Sequence, residues 1–332
     1  MSSLETRPDE TTCGAQRPEP LELSVLPPRE VPLGGPRAMT VRRTLPSRER
    51  TMIGAWCFVD HYGPDPVEGR GMVVPPHPHT ALQTVSWLFS GEIEHRDSTG
   101  VQAVVRPGEL NLMTAGHGVC HSEVSVTGPG APAVLHGAQL WVALPGADAD
   151  VAPSFEHHVP EPVTVPGARV SLFLGALGLP GDRELLSPVR TYTPLLGAEV
   201  RLEPGAELEL AVDPGFEHGV LGDTGQVEVE GREVAPAHLA YLGPGRDRLR
   251  LRAGEQGARV LLLGGPPFGE QIVMWWNFIG RSHEDVVEAR QRWQQELATG
   301  AFPQGRFGAV QHPGLEALPA PVLPQVRLRP RG

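Results

Sequence analysis

The chain of 332 residues contains no lysine, so all 28 of its basic side chains are arginine. They are scattered and outnumbered by 39 acidic residues, giving a formal charge of −11 without a basic cluster. Direct nucleic-acid binding is therefore not expected. The exclusive use of arginine reads first as a codon-composition habit and second as a stability device. Cysteine is almost missing too. Cys13, Cys57 and Cys120 are widely spaced with no CxxC pair, which argues against a disulfide framework and for a reducing compartment. No apolar run approaches the ~20 residues of a membrane span, and the N-terminus lacks a basic-then-apolar leader. The expectation is a soluble, cytoplasmic protein with no membrane partner.

Glycine (40) and proline (36) are abundant and spread along the chain, which suits many short strands joined by turns and argues against a helical protein. At this length two domains of ordinary size are the natural organisation. Residues 1–20, "MSSLETRPDETTCGAQRPEP", are polar with few large apolar groups and are expected to be a disordered tail. "LELSVLPPREVPLGG" adds an edge strand, and 311–332, "QHPGLEALPAPVLPQVRLRPRG", reads as an extended Pro-rich tail. Between them strand signals dominate. "TVSWLF" alternates, "GEIEHRDSTG" alternates and ends in a turn, and "GQVEVEGREV" is a hairpin with Gly231 and Arg232 at its turn. One helix stands out over 282–299: Ser282 caps it, acids crowd its first turn, and Val286, Ala289, Arg290 and Trp293 follow helical spacing before Gly300 stops it.

The sequence also repeats itself. Pro107 is followed at +3, +5, +6 and +9 by Leu110, Leu112, Met113 and Gly116, and Pro236 at the same offsets by Leu239, Tyr241, Leu242 and Gly245. The match reads as two copies of one small barrel. The expected fold is all-β, two β-sandwich barrels in tandem with a C-terminal helix. The first barrel is assigned to 21–155, and the second, with the helix, to 156–310.

Chemistry concentrates in "VPPHPHTALQTVSWLFSGEIEHRDSTG", Val74 to Gly100. Residues i and i+2 of a strand share a face, so His77 and His79 project together, and Pro78 between them marks a strand start or a sheet edge. Just past Gly116, "HGVCHSEVSV" places His121 and Glu123 in the same relation. Either pair alone is read as turn or satisfied core residues. Both pairs flanking one hairpin favour a metal centre. Three imidazoles and a carboxylate without thiolate suit iron, manganese, nickel, copper or zinc, and a six-coordinate ion would keep two positions open, as a reactive site does. Counting the repeat forward puts Ala211, Asp213, Arg250 and Arg252 at the four positions, so the second barrel is expected to be structural and His218 and His238 to be strays.

"PPHPHTALQTVSWLFSGEIEHRDSTG" and "PGELNLMTAGHGVCHSE" resemble the pirin family of the cupin superfamily, whose signature runs roughly HPHxGxET(V/L)(S/T)YxLxG, HxDSxG, PGxxQxMxAGxGxxHSE. The likeness extends from "GAWCFVDHYGP" through "LWVALP" and, more weakly, to "GPPFGEQIVMWWNFI". It implies a tandem bicupin with one intact site, holding one divalent metal, foremost Fe(II), on His77, His79, His121 and Glu123. It also implies a metal-dependent dioxygenase acting on a small aromatic substrate, a flavonol such as quercetin, with Glu123 as the base. The alternative is an iron-containing, redox-responsive interaction protein without turnover, its protein partner unknown.

Several residues stand apart from that pattern. Gln83 takes the place of a family Glu and is expected on the inward face with His79. His117 replaces Arg or Thr in the Gly-x-Gly step, as a loop residue or a site contact. His95 and Asp97 read as a solvated hairpin face, and Cys120 as an inert thiol facing away from His121. His157 and His158 fall in the inter-barrel linker and could bind metal adventitiously. Trp275 and Trp276 read as packing between the barrels, and Trp87, Phe89 and Met113 as groups around the motif that suit either an enzyme's apolar pocket or a sensor's redox-responsive surface.

Overall fold

A computed structural model of the chain describes residues 11–13, 19–33, 39–68, 71–181, 183–300, 305–310 and 312–324. Every strand pairing among them is antiparallel, apart from two isolated bridges. The first barrel sets a seven-stranded sheet against a four-stranded one. The larger sheet runs in the order Ser154–His158, Leu110–Thr114, Leu82–Ser90, Val134–Ala143, Trp56–Pro66, Met39–Leu45, Arg29–Leu33. The smaller runs Val73–His79, Val119–Ser125, Ile93–Asp97, Gln102–Val105. Proline falls at the margins, as its missing N–H requires: Pro32 and Pro78 lie on edge strands. The expected boundary at 155/156 falls inside the strand Ser154–His158, which pairs with Leu110–Thr114 of the first barrel.

The second barrel is built on a sheet through Ala168–Leu179, Leu196–Leu202, the long Arg248–Gly265, Glu217–Val229 and Leu239–Leu242. Its interior is aliphatic. Leu208, Leu210, Leu249 and Leu251 point inward, whereas the four positions counted from the repeat, Ala211, Asp213, Arg250 and Arg252, are exposed. The count lands one residue off the inward face, and that face carries no metal-ligating side chain at these positions.

Chain ends stitch the barrels together. "LELSVLPPREVPLGG" forms two strands: Leu23–Leu26 pairs with Leu239–Leu242 of the second barrel, and Arg29–Leu33 edges the first. Within 1–20, Thr11–Cys13 is a strand on Ile272–Trp275, so the expected tail is ordered there; apart from 19–20, the rest of it lies outside the described residues. Between the barrels Trp56, Val85, Trp87, Leu112 and Leu140 meet Phe173, Leu221, Tyr241, Leu261 and Leu263 in one buried cluster. Trp87 stacks on Phe173 with centroids 4.5 Å apart and donates its indole N–H to Glu199, 2.7 Å away. Trp87 thus belongs to the seam between the barrels and not to the surroundings of the metal motif.

Two local details differ from the sequence reading. The hairpin turn is Glu230–Gly231, both at positive φ (48° and 77°), with Val229 paired to Arg232. A tight two-residue turn needs left-handed conformations at both centres, so Arg232 is already strand. Trp275 and Trp276 pack with Cys120, Phe278, Trp293 and Phe307, between the smaller sheet's outer face and the helix, rather than between barrels. The helix, His283–Thr299, is capped by Ser282 as expected, the cap closing as a capping box with Asp285, and ends at left-handed Gly300. Residues 312–315 close a turn, not the expected extended run, and 316–324 cross the helix without regular secondary structure: Trp293 donates to the Leu318 carbonyl at 2.8 Å, and the Leu318 amide donates to Pro76 O at 2.8 Å.

Candidate metal centre

Register gathers the polar residues of the smaller sheet onto one face. In the middle strand His121 lies opposite His77 on one side and Asp97 on the other, Val119 lies opposite His79, and Glu123 lies opposite His95. Directly paired residues of adjacent strands share a face. His77, His79, His121, Glu123, His95 and Asp97 therefore all point into the barrel, while Cys120 points out into the tryptophan cluster, where burial pushes its thiol up and keeps it inert. The three imidazole rings lie 4.3–5.1 Å apart, centroid to centroid, and are fully buried.

Hydrogen bonds fix the tautomers. His77 Nδ1 sits 2.8 Å from the Pro75 carbonyl and His79 Nδ1 3.1 Å from the Asn277 carbonyl. A carbonyl only accepts, so each Nδ1 carries the proton and each Nε2 presents a lone pair. Those two Nε2 atoms are 3.2 Å apart. His121 is fully buried with neither ring nitrogen hydrogen-bonded, an arrangement that costs about 1–3 kcal/mol unless something else binds it. Burial pushes His77 down to about 4 and, with the neighbouring rings adding to it, holds His79 and His121 well below the ordinary imidazole range. Neutral imidazole is the metal-binding form. The donor set fits one bound metal ion.

Facing this set across the barrel, the larger sheet supplies a polar floor. Ser86 Oγ lies 3.3 Å from Glu123 Oε1 and donates to Gln139 Oε1 at 2.8 Å. Trp141 stands edge-on to His79 at 5.1 Å and stacks on Phe58 at 4.1 Å. The Tyr62 hydroxyl is buried without a partner, and burial together with the Glu123 and Asp60 carboxylates keeps it protonated. A Cβ at Gly137 would stand 2.9 Å from that hydroxyl, so glycine makes room for it.

Of the residues singled out from sequence, His77, His79, His121 and Glu123 are brought together and others are not. His95 and Asp97 are not a solvated face: they are 3% and 5% exposed and 3.0 Å apart, and Asp97 also accepts from Thr99 and Val101. The signal was present in the alternation of buried Ile93, His95 and Asp97 with Glu94 and Arg96. Gln83 does not share the inward face. Ala81 (φ 54°) breaks the alternation after His79, and within Leu82–Ser90 the odd positions Val85, Trp87 and Phe89 face the second barrel. Gln83 is in phase with these and donates to Thr114 at 2.9 Å. His117 is exposed on its turn. His157 is exposed and paired with Glu109 at 3.0 Å. Phe89 lies against His136 and under Arg259, away from the centre, whereas Met113 packs with Phe58 and Trp141.

Family models match both halves of the chain: Pirin over residues 38–142 and the Pirin C-terminal cupin domain over 197–298. The chain belongs to the pirin family. This pirin is 47% identical over 295 residues, 88% of the chain and 89% of the relative, to a Pseudomonas aeruginosa protein named "Putative quercetin 2,3-dioxygenase". It is 29% identical over 258 residues to human pirin, covering 75% of the chain and 84% of that protein. Among solved structures, the crystal structure of quercetin 2,3-dioxygenase from Acinetobacter baumannii superposes with a TM-score of 0.82 at 35% identity, covering 93% of this pirin and 98% of that chain. The tandem cupin architecture follows from these matches and from the strand pairing described above. No helix among the described residues is long and apolar enough to cross a membrane.

Proposed function

We propose that this pirin holds one divalent metal on His77, His79, His121 and Glu123 and acts as a dioxygenase on a flavonol-type substrate. The observation that carries the reading is the fully buried ring of His121, hydrogen-bonded at neither nitrogen, with the Nδ1-anchored rings of His77 and His79 packed against it. The imidazole–carboxylate set suits iron, manganese, nickel, copper or zinc alike, and Fe(II) is put foremost on the pirin resemblance. When bound, the ion would supply Lewis acidity and one-electron chemistry toward an enol oxygen and O₂.

The chain's own residues supply the rest. Glu123 is the base for the substrate hydroxyl: a carboxylate donor retains a second oxygen for a proton, and imidazoles locked as Nδ1–H tautomers do not. Ser86, braced by Gln139, holds the Glu123 carboxylate in place. Tyr62, kept neutral in the same lobe, can donate to a substrate oxygen. Phe58, Met113 and Trp141 give the site an apolar wall that excludes water and accepts an aromatic ring. The test is oxygen consumption and carbon monoxide release across a panel of flavonols by metal-loaded protein.

A second reading keeps the metal and drops turnover. In it the chain is a redox-responsive interaction protein, and the observation favouring it is the complete enclosure of the four side chains, none more than 1% exposed. Fully iron-loaded protein that turns over no flavonol would decide for this reading.

A further inference from the structure

A second cluster of metal-ligating side chains lies at the seam of the two barrels, on the opposite face of the larger sheet. His61 comes from Trp56–Pro66, His136 from Val134–Ala143, and Asp223 from Glu217–Val229 of the other barrel. Their exposures are 1%, 5% and 4%. Both Nε2 atoms lie 2.6 Å from the same oxygen, Asp223 Oδ1, and 3.4 Å from each other. Three donor atoms of three residues thus converge on one point. Ligands about 2.1 Å from a common ion stand roughly 3.0–3.4 Å from one another in octahedral or tetrahedral arrangement, so the two nitrogens are already at that spacing and the carboxylate oxygen needs only to retreat by a few tenths of an ångström.

The cluster's charge is balanced by Arg259, which pairs with Asp223 Oδ2, lies 4.1 Å over the Phe89 ring and reaches to 3.4 Å from His136 Nδ1. A cation must displace that guanidinium, which has somewhere to go, and the two Nε2 protons donated to Asp223, which move to Nδ1 or leave to solvent as the ion binds. Arg259 lines an open cleft of about 370 Å³ with Arg201, Thr224, Gly225 and Gln256. His61 Nδ1, meanwhile, is buried without a partner. We propose that His61, His136 and Asp223 form a second divalent-cation site, distinct from the cupin centre, that takes a zinc-class ion when Arg259 swings into the cleft. Two histidines and one carboxylate with further positions open are a donor set for first-row divalent ions. Because the ligands come from both barrels, the ion ties the barrels together, and because it competes with an arginine, it binds more weakly than the ion of the cupin centre.

The experiment uses the full chain with both His79→Ala and His121→Ala, which removes the first site and makes the result independent of the dioxygenase reading. This protein, stripped with chelator, is titrated with Co(II) and followed by visible absorption, and with Zn(II) followed by equilibrium dialysis and thermal unfolding. One equivalent should bind, raising the melting temperature. Adding Asp223→Asn, or His136→Gln should the former fail to fold, should abolish that equivalent, and adding Arg259→Gln should tighten it at least several-fold. No binding at millimolar Co(II), or binding that persists unchanged in both the Asp223→Asn and His136→Gln backgrounds, as surface histidines such as His157 would give, overturns the proposal. So does binding that Arg259→Gln weakens.

Discussion

Substituting His77 by Gln in the metal-free protein makes a quantitative test of how the centre is held ready. Burial lowers the folded-state value of His77 to about 4, against the ordinary 6.5 of an unfolded chain. Above pH 6.5 both states are neutral at this position and the residue adds no pH dependence. As the pH falls, the unfolded chain takes up the proton first and the folded chain cannot until about pH 4, so stability is lost on acidification through that window. At pH 5 the loss is the 1.5 pH steps below the unfolded value, about 2 kcal/mol. Gln carries no such proton. Urea unfolding of apo wild type and apo His77→Gln at pH 7 and pH 5 should therefore show the variant gaining about 2 kcal/mol on the wild type as the pH drops. A difference that stays constant between the two pH values would refute the claim that this ring is held neutral by burial. Loading the wild type with metal should raise stability at both pH values without removing this loss, because the ion keeps the proton off the folded ring while the unfolded chain still takes it up.

Other expectations follow from particular contacts. His79→Ala should remove most of the metal found by elemental analysis while circular dichroism stays native, with a stability cost of about 1–3 kcal/mol from the lost Asn277 and Trp141 contacts. Glu123→Gln keeps the size and one oxygen donor but loses the base, so at matched metal occupancy flavonol turnover should fall by about 10² while metal content falls modestly. Equal turnover would remove Glu123 from that role. Gln83→Glu should leave metal content unchanged and lower stability by about 2–3 kcal/mol, since it buries a carboxylate beside Thr114 at the barrel seam; tighter metal binding in that variant would contradict the facing assigned to it.

The i, i+2 spacing made the inward histidine pairs legible in the sequence, because period-2 geometry holds wherever a strand is regular. Where regularity breaks, the reading slipped. The positive φ at Ala81 turns the chain between His79 and Gln83 and reverses the phase, and nothing in the residue type announces it. The hairpin turn missed by one residue for the same reason, a non-glycine at positive φ, here Glu230. His95 and Asp97 were visible as an alternating pair but looked solvent-facing, since only the register against Val119–Ser125 brings them beside His121 and Glu123. The cluster of His61, His136 and Asp223 was out of reach altogether: its members are up to 162 positions apart and meet only where two barrels dock. The helix was the easiest element to read, because its cap, its stop and its apolar spacing are all local.

Turnover at a metal held by the histidine set is read from oxygen and carbon monoxide together. Protein loaded with Fe(II) is mixed with quercetin, and oxygen uptake and carbon monoxide release are followed together, with His121→Ala treated identically. The wild type should consume oxygen and release carbon monoxide in matched amounts, and the variant should give only background. Fully loaded wild type that consumes no oxygen with any flavonol, or a His121→Ala variant that turns over as fast as the wild type, would contradict turnover at that metal.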